Sequence, residues 1–338
     1  MKNIALTFDD VTLIPQYSDL NSRSEVDLTA DLGFASSRLP VISAAMDTVT
    51  GEKMLLSMFK QGCWGIHHRY CDIETLRLHR SSWPIAVSPS MGTKFIDELY
   101  EHETNVSPIV AIDVAHGDSK KALDYAEYCV KKGCVVMSGN IVTADAAYRY
   151  YNIGVNIFKV GVGPGSACTT RIVSGHGVPQ ITAIKEVRKE LNFIARACFD
   201  QGTGNRKFFI LSDGGCRTSG DVVKALAAGA NAVISGSLFA GCDEVPVPYT
   251  THYKKKKYPY RGMASREALS SAGKEINPEG VASWVEAKGP VKGVLDSLES
   301  GLRAGFAYSG ARNIQELWEK ARFVRQTPSG VVEGGARI

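Results

Sequence analysis

Eight short apolar, β-branched runs recur along this chain, separated by segments of helical character, and no other feature restricts its fold so strongly. They are Leu39–Ala44, Cys63–His67, Ile85–Ser88, Ile109–Val114, Val135–Ser138, Ile157–Val162, Phe208–Ser212 and Ala232–Ser235. Strand and helix in alternation predict a parallel sheet, and eight such units predict a closed (β/α)8 TIM barrel in the α/β class. Two of the intervening segments carry readable helix signals. Asp118 to Lys132 opens with an acid and is followed by Gly133, while Ser219 to Gly229 has a serine-glycine start, an alanine-rich body and a glycine stop. No low-complexity linker divides the 338 residues. The expectation is one barrel domain over 1–338, with a short N-terminal arm, a C-terminal tail at 326–338 and no inserted regulatory module.

Composition narrows the class. A hydrophobic content of 44% supports a large core, and no apolar run is long enough to span a bilayer. The opening residues Met1 to Asp10 lack a signal-peptide pattern. The cysteines, Cys63, Cys71, Cys129, Cys134, Cys168, Cys198, Cys216 and Cys242, show no C-x-x-C spacing and read as free thiols of a reducing, cytoplasmic compartment. A formal charge of +4 argues against nucleic acid as a partner, and Lys254 to Lys257 reads as an exposed turn.

In a barrel the chemistry sits on loops after the strand C-termini. The most informative is Gly161-Val162-Gly163-Pro164-Gly165-Ser166-Ala167-Cys168-Thr169-Thr170-Arg171. Its glycines free backbone N–H groups for an anion, and Cys168 supplies a nucleophile. Asp213-Gly214-Gly215 and Gly236-Ser237 end the last two runs, the usual place for a phosphate in this fold. Plainer readings exist: Asp213 as a helix cap, Glu279 as a solvated loop acid. His67-His68 suggests a metal pair, but neighbours on a strand point to opposite faces, which favours a structural or cofactor-side role.

Several motifs together resemble the IMP dehydrogenase and GMP reductase family. They are Leu6 to Val11, Ser43 to Val49, Gly163 to Arg171, Ser212 to Gly215 and Tyr260-Arg261-Gly262-Met263. The resemblance implies that Cys168 attacks C2 of a purine nucleotide, GMP or IMP, with Thr170 and Glu279 as the proton-transfer pair. It further implies that Asp213 holds the ribose. Ser166, Gly215, Gly236, Ser237 and Tyr260 would bind the 5′-phosphate, and Met263 with the backbone at Gly262 and Ala264 would meet the base, beside Ser43 and Met46. Ser88, Asp113, Asn140 and Gly161 would face the nicotinamide cofactor. The tail residues Glu333, Gly334 and Gly335 resemble a segment that donates carbonyls to potassium across a subunit boundary, with Gly163, Gly165 and Cys168 as the other ligands. That arrangement implies a homo-oligomer, by family precedent a homotetramer.

Within the family, hydrolysis of the adduct in the dehydrogenases uses an Arg-Tyr flap before the catalytic Glu-Gly. Ala264 to Pro278 contain no Arg-Tyr dipeptide, and Cys216 after Gly215 resembles the reductase form. Asn277-Pro278-Glu279-Gly280 and the tail resemble the dehydrogenases instead, with Ile276-Asn277-Pro278 replacing a reductase-like segment. The expectation is an NADPH-dependent GMP reductase, with an IMP dehydrogenase using NAD as the alternative and a non-catalytic nucleotide-binding barrel as a third reading.

Overall fold

The computed structural model describes residues 4–79, 82–101, 107–202, 206–271 and 278–335. Each predicted run forms a strand: β1 (Val41–Ser43), β2 (Trp64–Gly65), β3 (Ile85–Val87), β4 (Ile109–Ile112), β5 (Val135–Ile141), β6 (Ile157–Val160), β7 (Phe209–Asp213) and β8 (Ala232–Ser235). They lie parallel in the order β2-β1-β8-β7-β6-β5-β4-β3. A parallel bridge from His67 to Ile85 joins the two ends of that sheet and closes the barrel.

Helices follow the strands. Glu52–Lys60, Lys120–Lys131, Ala144–Asn152, Gln180–Asp200, Ser219–Ala227 and Val291–Tyr308 are the longer ones. Their starts follow from local chemistry, since Ser119, Thr143 and Thr218 accept hydrogen bonds from Ala122, Ala146 and Asp221 N–H groups. Strands covered on both faces must be apolar throughout, and Val41, Ile42, Val87, Ile112, Ile157, Phe158 and Leu211 are completely buried.

Two additions shape the C-terminal face. Val11–Leu13 pairs antiparallel with Phe323–Arg325, tying the N-terminal arm to the tail. After β8 a three-stranded antiparallel sheet forms from Thr250–His252, Lys255–Arg261 and Ala282–Glu286. The lysine run was expected to be a turn, and only Lys254 belongs to one. Tyr253 and Lys254 turn the hairpin with φ of 49° and 62°, while Lys255 to Lys257 lie on a strand. An exposed two-stranded ribbon needs no apolar alternation at its tip, so the strand was hidden. The same strand ends in Tyr260 and Arg261 and carries them to the barrel mouth.

Candidate functional site

The cysteine loop is held open by glycine geometry. Gly163 has φ of +76° and Gly161 of +148°, and a Cβ on Gly161 would lie 2.3 Å from the Asp213 carbonyl oxygen. Cys168 N–H turns back onto the Gly165 carbonyl at 3.0 Å. The loop is then zipped to residues 279–281: Thr169 N–H donates to Glu279 O and Val281 N–H to Ala167 O, both at 2.9 Å. This pairing brings together three groups far apart in sequence. The Cys168 thiol donates to Thr170 Oγ1 at 3.2 Å, and Thr170 Oγ1 donates to Glu279 Oε2 at 2.7 Å. Thiol, buried hydroxyl and carboxylate form one continuous hydrogen-bonded chain. Glu279 is thus no solvated loop acid.

Cys168 and Thr170 face a cleft of about 190 Å³ at the C-terminal ends of the strands. At one end Ser166, Gly215, Gly236, Ser237 and Tyr260 converge. Gly214 and Gly215 have φ of +86° and +87°; the Gly214 N–H donates to the Ile234 carbonyl at 3.0 Å, while the Gly215 N–H has no backbone partner among the described residues. Ser166 Oγ lies 3.2 Å from the Tyr260 hydroxyl. Burial pushes the Tyr260 phenol above its ordinary value, so it stays a neutral donor. Cys216 lies behind this end, and its carbonyl accepts from Ser237 Oγ at 3.0 Å. Complete burial pushes its thiol well up, which makes it an inert neighbour of the site.

The other side of the cleft carries charge. Asp213 is no helix cap, a place Thr218 takes; its Oδ2 accepts from Asn140 Nδ2 at 2.9 Å. Asn140 also donates to Gly161 O at 2.7 Å, so this residue, expected to face the cofactor, is bonded to the group expected to hold ribose. Asp113 lines the cleft and accepts from Arg69 Nε at 2.9 Å. The Arg69 guanidinium sits 4.4 Å from the Tyr70 ring centroid, and the Tyr70 hydroxyl donates to Met263 O at 3.2 Å. Arg69, Tyr70 and Lys159 were not among the residues singled out from sequence. The signal available for Lys159 was a charged residue inside an otherwise apolar strand.

Not every expected residue reaches the cleft. Met46, Gly161, Gly163, Gly165, Gly262 and Met263 line it, whereas Ser43, Ser88 and Ala264 do not. Ser43 is buried on β1 with no hydrogen bond to its hydroxyl. Ser88 caps the short helix Pro89–Met91, and the Ala264 carbonyl accepts Glu279 N–H at 2.9 Å, supporting that segment from behind. Glu333 ends the helix Pro328–Glu333, with Gly334 and Gly335 just beyond, and no hydrogen bond joins them to the cysteine loop of the same chain among the described residues. Ile276 and Asn277 lie outside the described residues.

The argument that His67 and His68 must diverge is overturned. β2 ends at Gly65, and in the loop that follows, ligand atoms of His67, His68 and Cys71 come within 4.8 Å of one another. Their Nδ1 atoms engage backbone: His67 Nδ1 lies 2.8 Å from His68 O, and Tyr70 N–H donates to His68 Nδ1 at 3.2 Å. These bonds fold the loop that presents Arg69 and Tyr70. Burial, then the neighbouring His67, hold the His68 imidazole down at about 4.

The sequence pattern of the IMP dehydrogenase / GMP reductase domain matches residues 5–80 and 85–337. The chain belongs to that family. Among its relatives, the inosine-5′-monophosphate dehydrogenase of Borreliella burgdorferi is 33% identical over 399 aligned positions, covering 97% of this chain and 96% of the relative. The enzyme of that name from Cryptosporidium parvum is 33% identical over 401 positions, covering 98% and 95%. That from Aquifex aeolicus is 44% identical over 239 positions, covering 67% of this chain and 46% of its own. Family membership makes the protein an oxidoreductase of purine nucleotide metabolism on a TIM-barrel fold. No helix among the described residues is long and apolar enough to cross a membrane.

Proposed function

We propose that this enzyme forms a covalent adduct between Cys168 and C2 of a purine 5′-monophosphate and exchanges hydride at that carbon with a nicotinamide dinucleotide. The observation that carries the reading is the unbroken hydrogen-bonded path from the Cys168 thiol through Thr170 to Glu279 at the wall of the cleft. The path takes the proton from the thiol as sulfur attacks and can return it to a departing group. Neutral hydroxyls and glycine N–H groups suit a phosphate at the end lined by Ser166, Gly215, Gly236, Ser237 and Tyr260.

The names of the relatives favour oxidation of IMP to XMP with NAD, in preference to the reductase direction expected from sequence. A second reading, reduction of GMP to IMP with NADPH and release of ammonia, is favoured by one observation. Ala264 to Pro278 hold no Arg-Tyr pair for adduct hydrolysis, while the Thr170–Glu279 couple supplies the acid that an amine leaving group needs. Nicotinamide absorbance measured with IMP plus NAD, and separately with GMP plus NADPH, decides between them. Absence of both reactions would remove the enzymatic reading.

Potassium and a homotetramer belong to the same proposal. The Gly163 and Cys168 carbonyls accept no hydrogen bond from the described residues, so hard oxygen ligands are free on the loop. With Gly165, and with Glu333, Gly334 and Gly335 supplied by a neighbouring subunit, they would hold the ion and fix the loop's conformation. No disulfide joins any of the eight cysteines, in keeping with a reducing, cytoplasmic setting.

A further inference from the structure

Lys159 is a buried cation that the proton path does not use. It sits on β6 between Gly139 of β5 and Leu211 of β7, and only 4% of its surface is exposed. Its ammonium donates to the Ile112 carbonyl at 3.1 Å and lies 3.6 Å from Asp213 Oδ2. The backbone of β5 packs closely on Lys159 at Gly139, where a Cβ would fall 2.2 Å from the Lys159 carbonyl oxygen. Burying a lone ammonium costs several kcal/mol, so a lysine kept here needs a charged partner. Asp113, the other carboxylate in the cleft wall, is paired with Arg69. The Lys159 charge therefore acts on Asp213.

The Lys159 charge and the Asn140 amide address the same oxygen. Oδ1 of Asp213 accepts no hydrogen bond from the described residues, although the residue lines the cleft. We infer that Lys159 is a positioning residue for sugar recognition: with Asn140 it pins Oδ2 of Asp213, leaving Oδ1 to accept from the nucleotide's ribose and so setting a preference for ribose over 2′-deoxyribose. This inference rests on the reading of the cleft as a purine 5′-monophosphate site.

The test is calorimetric binding of IMP, GMP and their 2′-deoxy counterparts to the full chain, without a nicotinamide. Wild type is expected to favour the ribonucleotide by roughly tenfold or more, the scale of a hydrogen bond to a charged acceptor. Lys159→Gln keeps a donor for Ile112 O but loses the charge, and is expected to bring the two sugars within about threefold by weakening ribonucleotide binding alone. Lys159→Arg keeps the charge and retains the preference, which covers the case in which the glutamine variant fails to fold. In an Asp213→Asn background Lys159→Gln should change nothing further, a non-additivity that a purely structural lysine would not produce. An unchanged sugar preference in Lys159→Gln, an equal loss for both sugars, loss of the preference in Lys159→Arg, or a wild type blind to the 2′-hydroxyl overturns the inference. A wild type that binds none of the four nucleotides refutes the cleft assignment itself, a distinguishable failure.

Discussion

Replacing Glu279 by Gln isolates the proton path, because it removes a base while keeping the shape of the segment that closes on Cys168. The amide oxygen can still accept the Thr170 hydroxyl, now at 2.7 Å from the carboxylate, but it cannot take the proton that the thiol passes on. A positioned acid–base group contributes about 10²–10⁴-fold, so kcat is expected to fall by that factor. At about 1.4 kcal/mol per tenfold this is ~3–5 kcal/mol of transition-state stabilisation. Ground-state binding involves only the weakening of one neutral hydrogen bond, about 1 kcal/mol, so KM for the nucleotide should move less than about fivefold. Backbone pairing of Glu279 with Thr169 and Ala264 is untouched, and the melting temperature should stay within a few degrees. Steady-state kinetics by nicotinamide absorbance, with a thermal melt on the same preparation, reads all three. A kcat within about threefold of wild type would refute the assignment of Glu279 to proton transfer.

Other consequences are independent of that path. Cys168→Ala should abolish turnover while calorimetry still shows nucleotide binding, whereas Cys216→Ala, at an inert buried thiol, should keep kcat within about threefold and cost about 1 kcal/mol of stability. Gly262→Ala would place a Cβ 2.8 Å from the Ala167 carbonyl oxygen, which pairs with Val281 N–H; the cysteine loop should be displaced and kcat lost with little change in the far-ultraviolet circular dichroism. His68 makes stability depend on pH. Its folded pKa of about 4 lies below the unfolded value of 6.5, so between these the unfolded chain binds the extra proton and stability falls as pH drops. Urea unfolding near pH 5 should show a loss of about 2 kcal/mol relative to neutral pH from this group, and His68→Asn should flatten that part of the profile. A His68→Asn profile parallel to wild type would contradict the burial argument.

The barrel was legible because its signal is repetitive: each of eight β-branched runs had to be a strand buried on both faces, and each became one. The three-stranded sheet at its mouth was not, because Lys255 and Lys256 are exposed, Lys257 is half-buried, and the run carries no apolar period. The chemical residues Cys168, Thr170, Glu279 and Asp213 could be named from motifs. Their mutual geometry could not, since it depends on the pairing of residues 167–169 with 279–281 across more than a hundred positions. The contact of Asn140 with Asp213 was hidden for a related reason: it depends on register between β5, β6 and β7, invisible in one sequence. Arg69 depends on a loop conformation set by His67 and His68, and reading those two as strand neighbours hid both the loop and its contact with Asp113.

The central claim is a covalent bond between Cys168 and the purine ring. Rapid acid quench of the enzyme during turnover, under whichever nucleotide and nicotinamide pair is consumed, followed by intact mass and peptide mapping, tests it directly. The account predicts a mass increase of one purine monophosphate on the peptide carrying Cys168 and none in Cys168→Ala. Turnover with no adduct on that peptide, together with sustained activity of Cys168→Ala, would contradict it.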